Sequence, residues 1–174
     1  DRHFQQMAYA RAVEGYTTAT ELGAVNEHVT KRLAECQMRL GNSEEAERWY
    51  SMVVKFLNRE PRDLFNYAEA LKSNGKYVEA EEWMDRYLAT TTTDGPPKRS
   101  NISGFARKFT ADMDRFTVRA VSINTPVSDF GVTWIGPDRV AFSSARHGTV
   151  GIERRAAWND QPFLDMFVAG VSPG

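Results

Sequence analysis

Three alanines, Ala12, Ala46 and Ala80, recur at a constant step of 34 in the numbering, and the sequence around them recurs as YARAVEGY, EEAERWY and VEAEEWM. Four residues after each alanine comes a large side chain: Tyr16, Tyr50 and Met84. Gly41 and Gly75 precede two of the copies, and the amphipathic stretches VTKRLAECQMRL and LFNYAEALKS lie upstream of those glycines. No coiled-coil heptad explains this period. A repeat of this length is one supersecondary unit that buries its apolar face only by stacking on its neighbours. A small residue lets two antiparallel helices approach, a large one a turn later fills the gap to the next pair, and glycine ends the first helix in a left-handed conformation. The reading is therefore helix A, turn, helix B, repeated, in a mainly α chain.

The pattern resembles the tetratricopeptide repeat. The family's helix-A positions fall on Thr30, Leu33, Ala34 and Gln37 in the second unit and on Leu64, Tyr67, Ala68 and Leu71 in the third. Pro61 opens the third unit, where its missing N–H costs nothing. Thr30 and Leu64 replace the consensus tryptophan and Gln37 the usual tyrosine. The first unit retains only its second helix, roughly residues 8–21, with DRHFQQ as the end of a truncated first helix. KFLNREP extends the second B helix by a few residues. A short array of this kind needs a cap. Residues 100–116, with Ile102, Phe105, Phe109 and Met113 at helical spacing, are expected to supply it, after a loop through ATTTTDGPPKRSN. Residues 1–116 form the expected helical solenoid.

Past Phe116 the period changes from helical to alternating. FTVRAVSIN, SDFGVTWIG, VAFSSAR and FLDMFVAGV are four β-prone runs separated by turn residues, with Pro137 suited to the second position of a turn in GPDR. Residues 117–174 are read as a short antiparallel β segment. WIGPDRVAFSSAR followed by FLDMFVA resembles one blade of a WD40-like propeller of the Tol-protein-B type, with Gly136-Pro137-Asp138-Arg139 in place of that repeat's usual Ser-Pro-Asp-Gly. A propeller needs at least four blades. The chain thus reads as the opening part of a longer protein.

Taken in order, helical repeats, VRAVSINTPVSDFGVTW, FSSAR and WNDQPFLDMFVA resemble the N-terminal half of OmpA-family periplasmic proteins of Bacteroidota. In that family a helical-repeat domain precedes a propeller, a small β-sandwich and a peptidoglycan-binding domain. One branch, PorE-like, belongs to the type IX secretion apparatus. The resemblance implies a periplasmic, outer-membrane-associated location, and contact with peptidoglycan only through domains outside this chain.

Little in the residues points to catalysis. A net charge of −1 gives no case for nucleic acid or a polybasic membrane contact, and no apolar run reaches the roughly 18–20 residues that span a bilayer. The chain opens at Asp1 without a signal-like stretch, which says nothing about compartment. His3, His28 and His147 lack the spacing of a metal site. The DFG at 129–131 has no kinase motif around it, and Ser143, Ser144 and His147 lack a nucleophile elbow, so the two serines read as surface-turn hydroxyls. Asp129 reads as a turn acceptor. Cys36, the single cysteine, falls among apolar helical positions as a packing thiol. Glu44 and Arg48 are spaced for an i, i+4 pair. Trp49 and Trp83 occupy one repeat position as half-buried packing residues, and Trp158 lies in a loop-like stretch. No cofactor motif is present.

The repeat register assigns an inner surface to the A helices. It comprises His28, Lys31, Glu35, Met38 and Arg39 in the second unit, and Arg62, Phe65, Glu69 and Lys72 in the third. This mixed surface, with Met38 and Phe65 as apolar anchors, suits an extended peptide or a partner's loop. The expected function is a non-enzymatic protein-interaction scaffold of the cell envelope. It would dock an outer-membrane barrel or secretion-system component and link it to a propeller and, through that, to the wall. The alternative is a cytosolic tetratricopeptide adaptor for a peptide or chaperone. Glu35 and Glu69, where a carboxylate clamp needs a basic cradle, weigh against it.

Overall fold

The structure, a computed structural model, describes residues 1–91, 99–111, 113–147 and 154–171. They are mostly helical, with one short three-stranded antiparallel sheet. The chain divides into two compact units, residues 1–117 and 118–174.

In the first unit the helices are α1 (Arg2–Gln5), α2 (Tyr9–Glu21), α3 (Glu27–Arg39), α4 (Ser43–Val53), α5 (Pro61–Ser73), α6 (Tyr77–Thr91) and α7 (Ile102–Thr110). Each packs on the helix before it in sequence. Helices α2, α4 and α6 begin at residues 9, 43 and 77, and α3 and α5 at 27 and 61, so one constant step is kept in both series.

The core repeats with the same step. One cluster joins Ala12, Tyr16, Leu33 and Cys36; in the other, Ala46, Tyr50 and Ala70 are packed against by Tyr67. Each member of the second set lies one full repeat beyond its counterpart in the first. Trp49 packs against both clusters and so links them.

The turns repeat too. Gly41 (φ 79°) and Gly75 (φ 75°) end α3 and α5 in the left-handed region, and one repeat before Gly41 stands Met7, at φ 57°. α1 thus takes the place of the last turn of an A helix, closed by a side-chain-bearing residue where its counterparts use glycine.

Three expectations change here. α4 does not run on through KFLNREP: it ends at Val53, and the chain turns through backbone bonds from Lys55 to Met52 and Phe56 to Val53. Arg48 pairs with Glu45 at 3.2 Å rather than with Glu44. α6 extends to Thr91, so the expected loop starts later than Ala89, and its centre, residues 92–98, lies outside the described residues. Cys36 is fully buried, and burial pushes its thiol up to about 11.

The second unit is a sheet of β1 (Asp129–Trp134), β2 (Arg139–Ser144) and β3 (Asp165–Gly170) in that order. Phe142 of the central strand lies opposite Phe167, with ring centroids 6.0 Å apart. A bulge at Gly131, φ 68°, shifts the β1–β2 register. The run FTVRAVSIN forms no strand. A 3₁₀ turn (Met113–Arg115) precedes it, Asn124 bonds back to Val121, and Phe116, Val118 and Val121 are exposed: its alternation finds no strand to pair with.

The sheet is held at one corner by Arg146. Its guanidinium donates to Asp129 (2.8 Å), to the Ile123 carbonyl (2.7 Å) and to Ser144 Oγ (2.8 Å), and lies over the rings of Phe142 and Phe167. Asp129 also accepts from the backbone and hydroxyl of Thr125, so it closes a turn as expected and anchors the arginine besides. Hydrogen bonds from Ser144, Arg146 and Thr125 hold its carboxyl far below the usual range. Ser144 is fully buried, which corrects its reading as a surface hydroxyl.

Met7 carries the left-handed penalty that Gly41 and Gly75 avoid, and its side chain is 63% exposed. Met7→Gly should therefore stabilise the protein by about 1 kcal/mol, and Gly41→Ala should cost about 1 kcal/mol, both read as shifts in urea midpoint at constant m.

Candidate functional site

The nine residues assigned to the inner surface lie on α3 and α5. His28 Nε2 is 2.8 Å from Asp1 Oδ1, with the Tyr16 ring edge-on to its imidazole. Lys31 reaches across to α5, where its ammonium lies 2.9 Å from Glu60 and 3.0 Å from Asp63 Oδ1. Glu35 pairs with Arg32 at 2.7 Å, and Glu69 with Lys72 at 2.6 Å. Met38 packs against the second core cluster. Arg62 lies over the Phe65 ring at 4.9 Å, and Phe65 meets Tyr87 of α6 edge-on at 5.4 Å. Arg39 and Arg62 are exposed.

Most of these charges are therefore satisfied within the protein. The Lys31 contact is the deepest, because the Asp63 side chain is 2% exposed. Its Oδ2 accepts from the Glu60 backbone N–H at 2.8 Å and from Lys31 at 3.2 Å. Oδ1 has no hydrogen-bond donor and is compensated by the charge of Lys31 alone. Burial works to lower the Lys31 ammonium, and the bonds to Glu60 and Asp63 outweigh it, leaving it above the ordinary lysine range. The same bond holds Glu60 below the ordinary carboxylate range. Lys31 thus acts as a strut between α3 and α5, and Glu60 and Asp63 are the partners that register reasoning missed. Their signal is the acidic pair at the opening of α5, one residue on either side of Pro61-Arg62.

A second feature lies at the far end of the helical unit. α7 packs on α6 through its small and polar side: the Ser103 N–H donates to Glu81 at 2.8 Å, and Ser100 donates to Asp85. Glu81 stands one repeat after Glu47, which accepts instead from the side chains of Asn74 and Lys76 in the turn that follows α5. The apolar stripe of α7 does not cap the unit. Phe105 and Phe109, whose rings are 4.7 Å apart, are 62% and 69% exposed. With Ile102, Ala106, Tyr77 and Lys72 they line an open hollow of about 590 Å³. The stripe was visible in sequence and was read as packing, because periodicity marks an apolar face without saying whether anything covers it. Trp49 and Trp83 are half-buried, Trp83 meeting Tyr67 at 5.0 Å, and Trp158 is 48% exposed.

Among the described residues no group of three His, Cys, Asp or Glu side chains could hold a metal ion, and no helix is long and apolar enough to cross a membrane. Comparison with family models, curated proteins and solved structures found no match to this chain.

If Lys31 is structural, removing its charge leaves a buried carboxylate uncompensated. Lys31→Met should cost about 3 kcal/mol in urea unfolding, whereas Arg39→Ala, at an exposed site, should change stability by less than about 0.5 kcal/mol.

Proposed function

We propose that this chain is a non-enzymatic scaffold for protein–protein interaction, built as tetratricopeptide-type helical repeats followed by a β segment of the WD40-like propeller kind. The observation that carries the repeat reading is the pair of core clusters related by one constant step in sequence, with helix starts and left-handed turns at the same step. Such arrays expose successive A helices side by side and bind through them. Here that face is α3 and α5, where Arg39, Arg62 and the half-buried Phe65 stand among internally paired charges. Because Lys31, Glu35 and Glu69 are engaged within the protein, recognition falls on those arginines and on Phe65 rather than on the whole face.

The envelope setting rests on sequence resemblance alone: WNDQPFLD and the order of modules resemble those of OmpA-family proteins of Bacteroidota. In that reading the partner is an outer-membrane barrel or a secretion-system component. The chain joins it to a propeller and, through a further domain, to peptidoglycan.

The test is capture by the immobilised full chain from separated envelope and cytosolic fractions of a Bacteroidota cell. The expected result is an outer-membrane protein enriched from the envelope fraction and lost with the double variant Arg39→Glu, Arg62→Glu. Recovery of cytosolic chaperones alone would favour an adaptor instead, and envelope capture indifferent to the double variant would remove this face from the account.

A further inference from the structure

We infer that Asn74 is a site of non-enzymatic deamidation, gated by the contact between the α5–α6 turn and α4. This goes beyond the scaffold reading above and does not depend on the repeat family. Asn74 is the one asparagine of the sequence that is followed by glycine. Attack on a side-chain amide by the next backbone nitrogen is easiest there, because glycine sets no side chain beside that nitrogen and leaves the chain free to rotate. The step balances with water as its single co-reactant. The Gly75 nitrogen loses its proton and bonds to Asn74 Cγ, the Cγ–Nδ2 bond breaks, and ammonia leaves with that proton. Water then opens the five-membered imide at Cγ, giving aspartate, or at the backbone carbonyl, giving isoaspartate. Gly75 is exposed, so water has access to the turn.

Three features oppose the reaction while the turn is docked. Asn74 Nδ2 donates to the Ser43 carbonyl at 3.1 Å and to Glu47 Oε2 at 2.8 Å, both on α4. The Gly75 N–H is engaged with the Lys72 carbonyl at 3.1 Å. A ψ of 11° at Asn74 turns the Gly75 nitrogen towards Asn74's own nitrogen and away from its Cβ, whereas the imide ring needs it beside Cβ. Ring closure therefore requires the turn to leave α4 and rotate, which is a local opening of the fold. The product does not restore the contact. A carboxylate in place of the amide faces the Ser43 carbonyl and the Glu47 carboxylate, so two acceptors lose their donor and like charges meet, with Lys76 already 2.6 Å from Glu47. Isoaspartate also lengthens the backbone inside a turn that the Lys76 N–H closes on the Leu71 carbonyl at 3.0 Å. Conversion thus acts as a one-way latch, recording that the turn has come away from α4.

The experiment incubates the full chain beside a synthetic peptide of residues 69–79 at mildly alkaline pH. Isoaspartate is followed by methyltransferase labelling and peptide mapping, and ammonia release is measured in parallel. Asn74 of the folded chain should convert, at a rate at least about ten-fold below that of the peptide. Glu47→Ala, which removes an acceptor of the Asn74 amide, should raise the rate by about five-fold or more. Gly41→Ala, which weakens the fold at a different turn, should leave the rate unchanged and so separates release of this turn from general instability. Asn74→Asp should lower the urea midpoint at an unchanged m-value. Absence of isoaspartate at Asn74 in the folded chain overturns the site. Conversion as fast as in the peptide, a rate indifferent to Glu47→Ala, or equal acceleration by Gly41→Ala overturns the gate. A midpoint that Asn74→Asp does not move overturns the latch.

Discussion

The helical unit depends on how closely three backbones approach where Ala34 of α3, Ala46 of α4 and Ala70 of α5 meet. All three side chains are fully buried, and Tyr50 and Val53 close the space around them. A methyl group is the largest side chain that leaves two helices near the lower end of the usual separation of roughly 8–10 Å. The aromatic a turn later then fills the gap to the next pair. The first cluster does the same with Ala12, Tyr16 and Cys36. The same kind of contact thus recurs one constant step later in the sequence.

Polar contacts then fix the relative position of successive pairs. Asn74 donates to the Ser43 carbonyl and to Glu47, and Lys76 adds a bond at 2.6 Å. Burial works to raise the Glu47 carboxyl, but the bonds from Lys76 and Asn74 leave it below its ordinary range. This anchor therefore contributes stability above the unfolded carboxylate's pKa and loses it as pH falls through the lower folded value. Lys31 and Asp63 form a second tie, between α3 and α5. The Lys31–Asp63 tie, with the Glu35–Arg32 and Glu69–Lys72 pairs, engages charges of the α3 and α5 face within the protein, and that is why the proposed binding face narrows to Arg39, Arg62 and Phe65. In the β unit Arg146 has the comparable role, joining the end of β2 to the start of β1 and to the two aromatic rings.

What was legible in the sequence follows from where each signal originates. The constant step, the helix starts and Cys36 as a packing thiol are local pattern and composition, and the structure shows them. Strand existence was legible at 129–134, 139–144 and 165–170 because turn residues bracket each run. It failed at 116–123, where alternation was present but pairing, a non-local property, was not. The end of α4 was misread because KFLNREP contains no breaker before Asn58. The ion pairs Lys31–Asp63 and Arg48–Glu45 depend on side-chain reach rather than on spacing alone. The α7 groove was hidden for a further reason: an amphipathic stripe has the same sequence whether it is covered or open, and only the packing of Ser103 and Ser100 against α6 reveals which side faces outward.

The account stands on the alanine contact, and one substitution tests it directly. Ala46→Leu adds three carbons where α3, α4 and α5 converge, so it must separate the helices or force strained rotamers. Urea unfolding of the full chain should show a loss of about 2 kcal/mol. A variant within about 0.5 kcal/mol of the parent, with an unchanged m-value, would contradict the claim that close approach at this alanine holds the helical unit together.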